Sequence, residues 1–246
     1  MNRRAIVVAF SIVVLLLCAA CTGSPGVPRA DSEVVAPDAV TDFKLLYGQN
    51  CAGCHGPDGK GGAAIALASP VFLAIADDTV IRRTAANGES GTPMPAFAQS
   101  AGGMLTDQQI DALVRGIRSW AKPDVLGDQI PPPYAAEAPG DAQRGADAYR
   151  TYCASCHGAN GRGGSKASSI VDGSFLALVS DQQLRTVVIA GRPELGAPDW
   201  RSDVVGRPMS AQEISDVVAW LSGQRTKFPG QPYPFASTNS ANGGSR

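Results

Sequence analysis

Histidine is nearly absent from this chain, which has two histidines and six cysteines among its 246 residues. A strong charge of one sign is also lacking, because 21 basic residues accompany 22 acidic ones and leave a formal net charge of −1. A chain without a broad positive field is poorly suited to bind nucleic acid. The sequence also shows no Ser, His and Asp set, no phosphate-binding loop and no acid pair with catalytic spacing. These absences argue against a nucleic-acid partner, a nucleotide site and hydrolytic catalysis.

A hydrophobic run long enough to span a bilayer is missing as well. The apolar stretch Ala5–Ala20 is shorter than the roughly 20 residues that a membrane-spanning helix needs. Arg3 and Arg4 precede this stretch and give it a positive start. This layout is typical of an export signal, which we assign to residues 1–20.

The end of the apolar stretch, Leu17-Cys-Ala-Ala-Cys21, resembles a bacterial lipobox. The resemblance implies that Cys21 is lipidated and becomes the first residue of the mature chain. A signal anchor that is never cleaved is the alternative. Both place the body of the protein on the extracytoplasmic (periplasmic) side of a bacterial membrane, and residues 21–40 then form a flexible tether.

An internal repeat divides the rest of the chain. An offset of 102 residues superposes Cys51-Ala-Gly-Cys-His-Gly on Cys153-Ala-Ser-Cys-His-Gly. Near the end of each copy, Thr106 and Ser210 are each followed three residues later by Gln or Glu, as in a helix capping box. In each copy we expect a helix before the Cys motif, one middle helix and a capped last helix. The predicted fold is all-α, with domains at 41–121 and 141–226, a Pro-rich linker at 122–140 and a disordered tail at 227–246.

Each copy contains a Cys-x-x-Cys-His motif. Its two thiols can form thioether bonds to the vinyl groups of haem, and the adjacent imidazole can ligate the iron. A redox dithiol or half of a zinc site would use the same cysteines, but neither domain has a third or fourth thiol. The sequence therefore predicts two covalently bound haems, with the residues Cys51, Cys54, His55, Cys153, Cys156 and His157.

With these residues in place, the chain resembles a duplicated class I cytochrome c. The resemblance includes the glycine-rich loop after each motif, the segment Met94-Pro-Ala-Phe97 and the capped last helix. It implies a first and a last helix that cross, with a small residue against an aromatic one. The second domain offers Gly145 and Trp220 for this crossing. The first domain has the sizes exchanged, so we expect Phe43 to fill the space left at Gly116.

The sixth iron ligand differs between the domains. By the resemblance, Met94 ligates the first haem, and Met104 is packing or loop. In the second domain Ala197 stands where methionine is expected, and alanine cannot bind iron. Either Met209 reaches the iron, or the second haem has an open or water-filled position. Candidate partners for the haem propionates are Arg82, Arg83, Arg185, Arg192, Arg201 and Trp200.

The expected function is a relay of single electrons by a membrane-tethered dihaem cytochrome. Its partners would be a quinol-oxidising complex and an acceptor such as a terminal oxidase, a soluble cytochrome or a photosynthetic centre. The protein could act as a shuttle or as a complex subunit. The alternative is an enzyme or sensor that uses an open second haem.

Overall fold

The computed structural model describes residues 35–201 and 204–226. The predicted signal at 1–20, Cys21, most of the tether and the predicted tail at 227–246 lie outside the described residues. Within them the secondary structure is helical, with two isolated β-bridges and no β-strand. Their α-helices are α1 Phe43–Asn50, α2 Ala52–His55, α3 Pro70–Ile75, α4 Asp78–Asn87, α5 Asp107–Arg118, α6 Ala142–Tyr152, α7 Ala154–His157, α8 Gly173–Ala177, α9 Asp181–Ala190 and α10 Ala211–Ser222.

None of the helices in the described part of the chain is long and apolar enough to cross a membrane. Short 3₁₀ helices occupy Pro37–Ala39, Gln99–Ala101 and Pro193–Leu195. Both repeats belong to one compact unit that begins at Val40. The all-α fold and its duplication are as the sequence predicts.

The last helix of each repeat begins with the predicted capping box. The Thr106 hydroxyl accepts from the Gln109 backbone N–H, and the Gln109 side chain accepts from the Thr106 backbone N–H. Ser210 and Glu213 make the same reciprocal pair at the start of α10. Each box satisfies two backbone donors that a helix start would otherwise leave without partners.

The middle of each repeat forms two helices where the sequence predicted one. Ser69 and Asp172 cap the first of the two, and Asp77 and Ser180 cap the second. Between α3 and α4, Ala76 is extended (φ −97°, ψ 115°), which ends one helix before Asp77 starts the next. In each repeat a second N-cap residue follows the first within the same segment, so the segment forms two short helices instead of one.

The predicted crossing of the first and last helices is confirmed in both repeats. A Cβ atom added at Gly145 would overlap the Asp216 carbonyl oxygen and lie 2.8 Å from the Trp220 Cβ. A Cβ atom added at Gly116 would overlap the Phe43 ring. Because the interior has no spare volume, the large and small residues can exchange helices but cannot both be large.

An aromatic contact that the sequence did not predict completes the first crossing. In the second repeat Trp220 stacks on Tyr149, with ring centroids 4.2 Å apart. In the first repeat Trp120 packs edge-on against Tyr47, with centroids 5.2 Å apart. Trp120 follows Gly116 by one helical turn, so a neighbouring position supplies the missing indole.

The predicted linker is packed against the second repeat. Arg185, on α9, is buried and donates hydrogen bonds to the carbonyls of Pro133 and Tyr134 and to the Ser215 hydroxyl. Helix α9 also contacts α3 of the first repeat. The buried core runs through both repeats, so the two domains are packed together rather than joined only by a spacer.

Candidate functional site: the two Cys-x-x-Cys-His motifs

Each motif folds as one turn of helix that is fixed by the tyrosine of the preceding helix. The Tyr47 hydroxyl donates to the Gly56 carbonyl at 2.8 Å, and the Tyr149 hydroxyl donates to the Gly158 carbonyl at 2.5 Å. Gly56 and Gly158 directly follow the two histidines. The tyrosines therefore hold the carboxyl end of each motif in the same position.

The glycine after each histidine is required by the backbone. Gly56 and Gly158 have φ angles of 84° and 77°, in the region that residues with a side chain rarely adopt. A Cβ atom at Gly56 would also overlap the Lys60 carbonyl. The following loop therefore folds back closely onto the motif, which brings its carbonyls to the imidazole.

The two imidazoles make the same hydrogen bond. His55 Nδ1 lies 2.8 Å from the Ile65 carbonyl oxygen, and His157 Nδ1 lies 2.9 Å from the Ser168 carbonyl oxygen. Because a carbonyl only accepts, Nδ1 carries the proton and Nε2 keeps its lone pair. Proteins commonly orient a metal-ligating imidazole in this way, through a hydrogen bond from the ring nitrogen that does not bind the metal. Burial lowers the pKa of His55, which favours the neutral ring that ligation requires.

In neither motif are the two cysteines joined by a disulfide. Burial raises the pKa of the Cys51 thiol to about 11, the opposite of the lowered pKa that activates a redox dithiol. In the described ranges no three His, Cys, Asp or Glu side chains come close enough together to hold a metal ion. Two thiols beside an oriented imidazole therefore fit the attachment of haem better than they fit a redox dithiol or half of a zinc site.

Met94 lies in a loop that is hydrogen-bonded in place. Its carbonyl accepts from the Glu89 N–H at 3.1 Å, and its own N–H donates to the Thr92 hydroxyl at 3.2 Å. The Met94 residue is half-buried, whereas Met104 is 82% exposed. Of the two methionines, only Met94 therefore has the surroundings of a residue that faces the interior.

Ala197 occupies the place of Met94 in the second repeat. The Arg192 N–H donates to the Ala197 carbonyl at 2.9 Å, just as Glu89 does to Met94. The loop also packs in the same way on the glycine that ends the preceding helix. A Cβ atom at Gly88 would lie 2.7 Å from the Pro95 carbonyl carbon, and a Cβ atom at Gly191 would lie 2.5 Å from that of Pro198.

Met209 is a core residue immediately before the capping box of α10. It is 2% exposed, and its N–H donates to the Trp200 carbonyl at 2.8 Å. In the first repeat Leu105 precedes the capping box, is 6% exposed and donates to the Phe97 carbonyl at 2.8 Å. Met209 is thus the structural counterpart of Leu105.

Four of the arginines suggested for the propionates have partners within the protein. Arg185 holds the linker, as described above. Arg82 pairs with Asp107 and Asp111, Arg192 pairs with Glu194 and donates to the Gly62 carbonyl, and Arg201 pairs with Asp199 and donates to the Val125 carbonyl. Arg83 is exposed, and Trp200 is buried beneath the guanidinium of Arg201.

The contact of Arg192 crosses from one repeat to the other. Arg192 lies in the loop that carries Ala197. Its guanidinium donates to the Gly62 carbonyl at 2.8 Å, in the loop after the first motif. Its charge adds to the effect of burial in lowering the pKa of His55. The first motif and the Ala197 loop are therefore neighbours across the contact between the repeats.

A helical tandem fold with an oriented Cys-x-x-Cys-His turn in each repeat defines a c-type cytochrome, a protein that binds haem c covalently and transfers electrons. The chain belongs to the family described as cytochrome c oxidase, cbb3-type, subunit III. The family model matches it twice, at residues 38–115 and 140–221.

Several known proteins resemble this chain over most of its length. A cytochrome bc1 complex cytochrome c subunit of Mycobacterium tuberculosis is 26% identical over 218 residues, covering 83% of this chain and 70% of the relative. The subunit of the same name from Mycobacterium leprae is 23% identical over 210 residues, covering 83% of this chain and 68% of the relative. Among solved structures, a chain of the reducing HAO-like protein complex of Kuenenia stuttgartiensis matches with a TM-score of 0.42 and 19% identity. That match covers 78% of this chain and 100% of the other.

Proposed function

We propose that each repeat binds one haem c and that the protein relays single electrons between respiratory partners. Cys51 and Cys54 attach the first haem, and His55 and Met94 ligate its iron. Cys153 and Cys156 attach the second haem, and His157 ligates it. The observation that carries this proposal is the equivalent hydrogen bonding of the two imidazoles, each with Nδ1 bound to a loop carbonyl and Nε2 left free.

Haem, when bound, supplies the one-electron chemistry, and the chain supplies its position and surroundings. The tyrosines of α1 and α6 fix the motif turns, and the glycine-rich loops fix the imidazoles. The packing of α3 against α9 and the contact of Arg192 with Gly62 keep the two sites at a constant separation. A constant separation suits transfer between two centres.

The number of haems is the first test. We expect the pyridine haemochrome assay, combined with the protein mass, to give two haems per chain. Replacing both Cys153 and Cys156 with alanine should leave one haem, and the same double change at Cys51 and Cys54 should also leave one. One haem in the unaltered protein would refute the proposal.

The electron donor we propose is a quinol-oxidising complex, and the acceptor a terminal oxidase or a soluble cytochrome. The mycobacterial relatives, which are named as subunits of the cytochrome bc1 complex, support a subunit over a free shuttle. Affinity purification of the tagged protein from solubilised membranes should recover a quinol-oxidising complex, and added quinol should reduce the haem of the purified sample. Recovery of the cytochrome alone, with no reduction by quinol, would contradict this assignment.

We propose further that the protein is anchored by lipid at Cys21 on the periplasmic side of the membrane. The support is the Leu17-Cys-Ala-Ala-Cys21 sequence behind a positively charged start. Changing Cys21→Ser should remove labelling by a radioactive fatty acid, whereas Cys18→Ser, the matched control, should leave it. Labelling that survives Cys21→Ser would rule out this anchor.

A further inference from the structure

The Ala197 loop of the second repeat has the backbone contacts of the Met94 loop without the methionine side chain. Ala197 and Met94 make the same carbonyl contact to the loop start, and both loops press on the glycine that ends the preceding helix. Ala197 is half-buried, as Met94 is. The fold therefore brings a methyl group to the point where the first repeat brings a thioether.

Met209 is fixed in the core by its own contacts. Its backbone is bonded to Trp200 in the register that Leu105 has with Phe97, and only 2% of it is exposed. To reach an iron bound by His157, Met209 would have to leave the core and open a cavity there. Vacating the site of a buried methionine destabilises the fold, because the surrounding structure closes such a cavity only in part.

The chain has few other strong ligands to offer. Its four methionines are Met1, Met94, Met104 and Met209, and both histidines belong to the motifs. Met104 lies in the first repeat beside its own capping box, and is 82% exposed. Neither thioether nor imidazole is therefore placed to close the second site.

We infer that the iron position opposite His157 has no protein ligand and that a small diatomic π-acceptor such as carbon monoxide binds there. This inference rests on the proposed attachment of a haem to the second motif. The two repeats then differ in role. The first is closed by Met94, and the second combines electron transfer with an exchangeable position, where distal access decides what binds.

Carbon monoxide itself is the probe. The protein loaded with both haems is reduced with dithionite and titrated with carbon monoxide while the Soret band is recorded. We expect about half of the total haem to form the adduct, because a closed His and Met site binds it poorly. The Ala197→Met variant should lower this fraction from about half to near zero, since it restores the side chain of the first repeat.

Met209→Leu is the matched control, because it installs the residue found at the equivalent Leu105. It should leave the adduct fraction and the low-spin spectrum of the unliganded protein unchanged. Absence of an adduct in the unaltered protein, with an adduct gained in Met209→Leu, would overturn the inference and identify Met209 as the ligand. Two haems that resist carbon monoxide in every variant would also overturn it. A count of one haem per chain would instead refute the two-haem proposal, and this inference with it.

Discussion

At the scale of single residues, the two repeats hold their motif imidazoles alike and differ at one loop position. His55 and His157 make equivalent hydrogen bonds through Nδ1. In the loop after the middle helices, Met94 of the first repeat corresponds to Ala197 of the second. The two repeats thus differ by one thioether at an equivalent loop position.

The first prediction concerns Met94. Changing Met94→Ala should open the first site and raise the fraction of haem that binds carbon monoxide from about half to nearly all, because both loops would then end in a methyl group. Met104→Ala, at an exposed position, should leave the fraction unchanged. If Met104→Ala opened the site and Met94→Ala did not, the ligand assignment would be reversed.

The second prediction concerns pH and Asp216, whose carboxylate ties α10 to the start of α6. Burial by itself would raise the pKa of Asp216, but hydrogen bonds from Arg144, the Asp141 N–H and Gln212 outweigh it and hold that pKa below its ordinary value. A carboxylate with a lowered folded-state pKa stabilises the fold above its unfolded pKa of about 3.9, and this stabilisation is lost as pH falls through the folded value.

Asp216→Asn should therefore lower the urea midpoint of unfolding at neutral pH. The difference from the unaltered protein should shrink as the pH falls below about 4, because the carboxylate is protonated first in the unfolded chain and, at still lower pH, in the folded protein. Asp128→Asn, at an exposed site in the linker, should change little. A difference in midpoint that stays constant down to acid pH would show that the charge of Asp216 does not contribute.

At the scale of helices, the repeats make matching contacts from different positions. Arg118, the last residue of α5, donates to the Leu73 and Ala76 carbonyls and pairs with Asp78. In the second repeat Arg225, which follows the end of α10, donates to the Leu176 and Val179 carbonyls and pairs with Asp181. Counted from its capping box, the arginine comes later in the second repeat than in the first, whereas the indole comes earlier, at Trp220 as against Trp120. A helix returns to the same face after one turn, so a side chain one turn away can reach the same partner.

The third prediction tests the crossing of α6 with α10. Gly145→Ala should lower the free energy of unfolding by about 1–3 kcal/mol, because a methyl group there overlaps the Asp216 carbonyl and forces the helices apart. Chemical denaturation of the haem-loaded protein measures the change. Gly48→Ala on α1 is the control, since nothing lies within 4 Å of its added Cβ. It should stabilise by up to about 1 kcal/mol through helix propensity. Equal effects at the two glycines would contradict close packing at Gly145.

At the scale of the whole molecule, the two repeats and the segment between them are packed together. Pro133 and Tyr134 place their carbonyls on the buried guanidinium of Arg185, and α3 contacts α9. Arg192 bridges the first motif loop and the Ala197 loop. The two motif-bearing repeats are therefore in direct contact.

The fourth prediction tests this packing. Arg185→Met should remove the donors to the Pro133 carbonyl and lower the free energy of unfolding by about 1.5–3 kcal/mol, while keeping most of the apolar volume. Hydrogen exchange around Tyr134 should become faster. Arg115→Met, at an exposed position on α5, is the control and should alter neither quantity. Unchanged exchange in Arg185→Met would mean that the linker is held by other contacts.

Much of the fold could be predicted from short stretches of sequence. The repeated motifs and the capping boxes depend on fixed spacings within one helix or turn, whereas the small and large pairs at Gly145 and Gly116 were expected from the resemblance to a class I cytochrome c. The division of the middle segments at Asp77 and Ser180 was missed, although both are good capping residues. Their signal was present, but nothing local distinguishes a cap inside a helical segment from a polar surface residue.

By itself the sequence determined the covalent chemistry, because the Cys-x-x-Cys-His motif places two thiols and an imidazole close together in the chain, where they can bind the same haem. It also determined the duplication and the all-helical class through residue spacing. Only the tertiary structure decided where Ala197 and Met209 lie, since the sequence left open which segment of the second repeat corresponds to the Met94 loop. Backbone contacts of Ala197 with Arg192 and of Met209 with Trp200 set these positions, and they place Ala197 in the loop equivalent to that of Met94 and Met209 in the core.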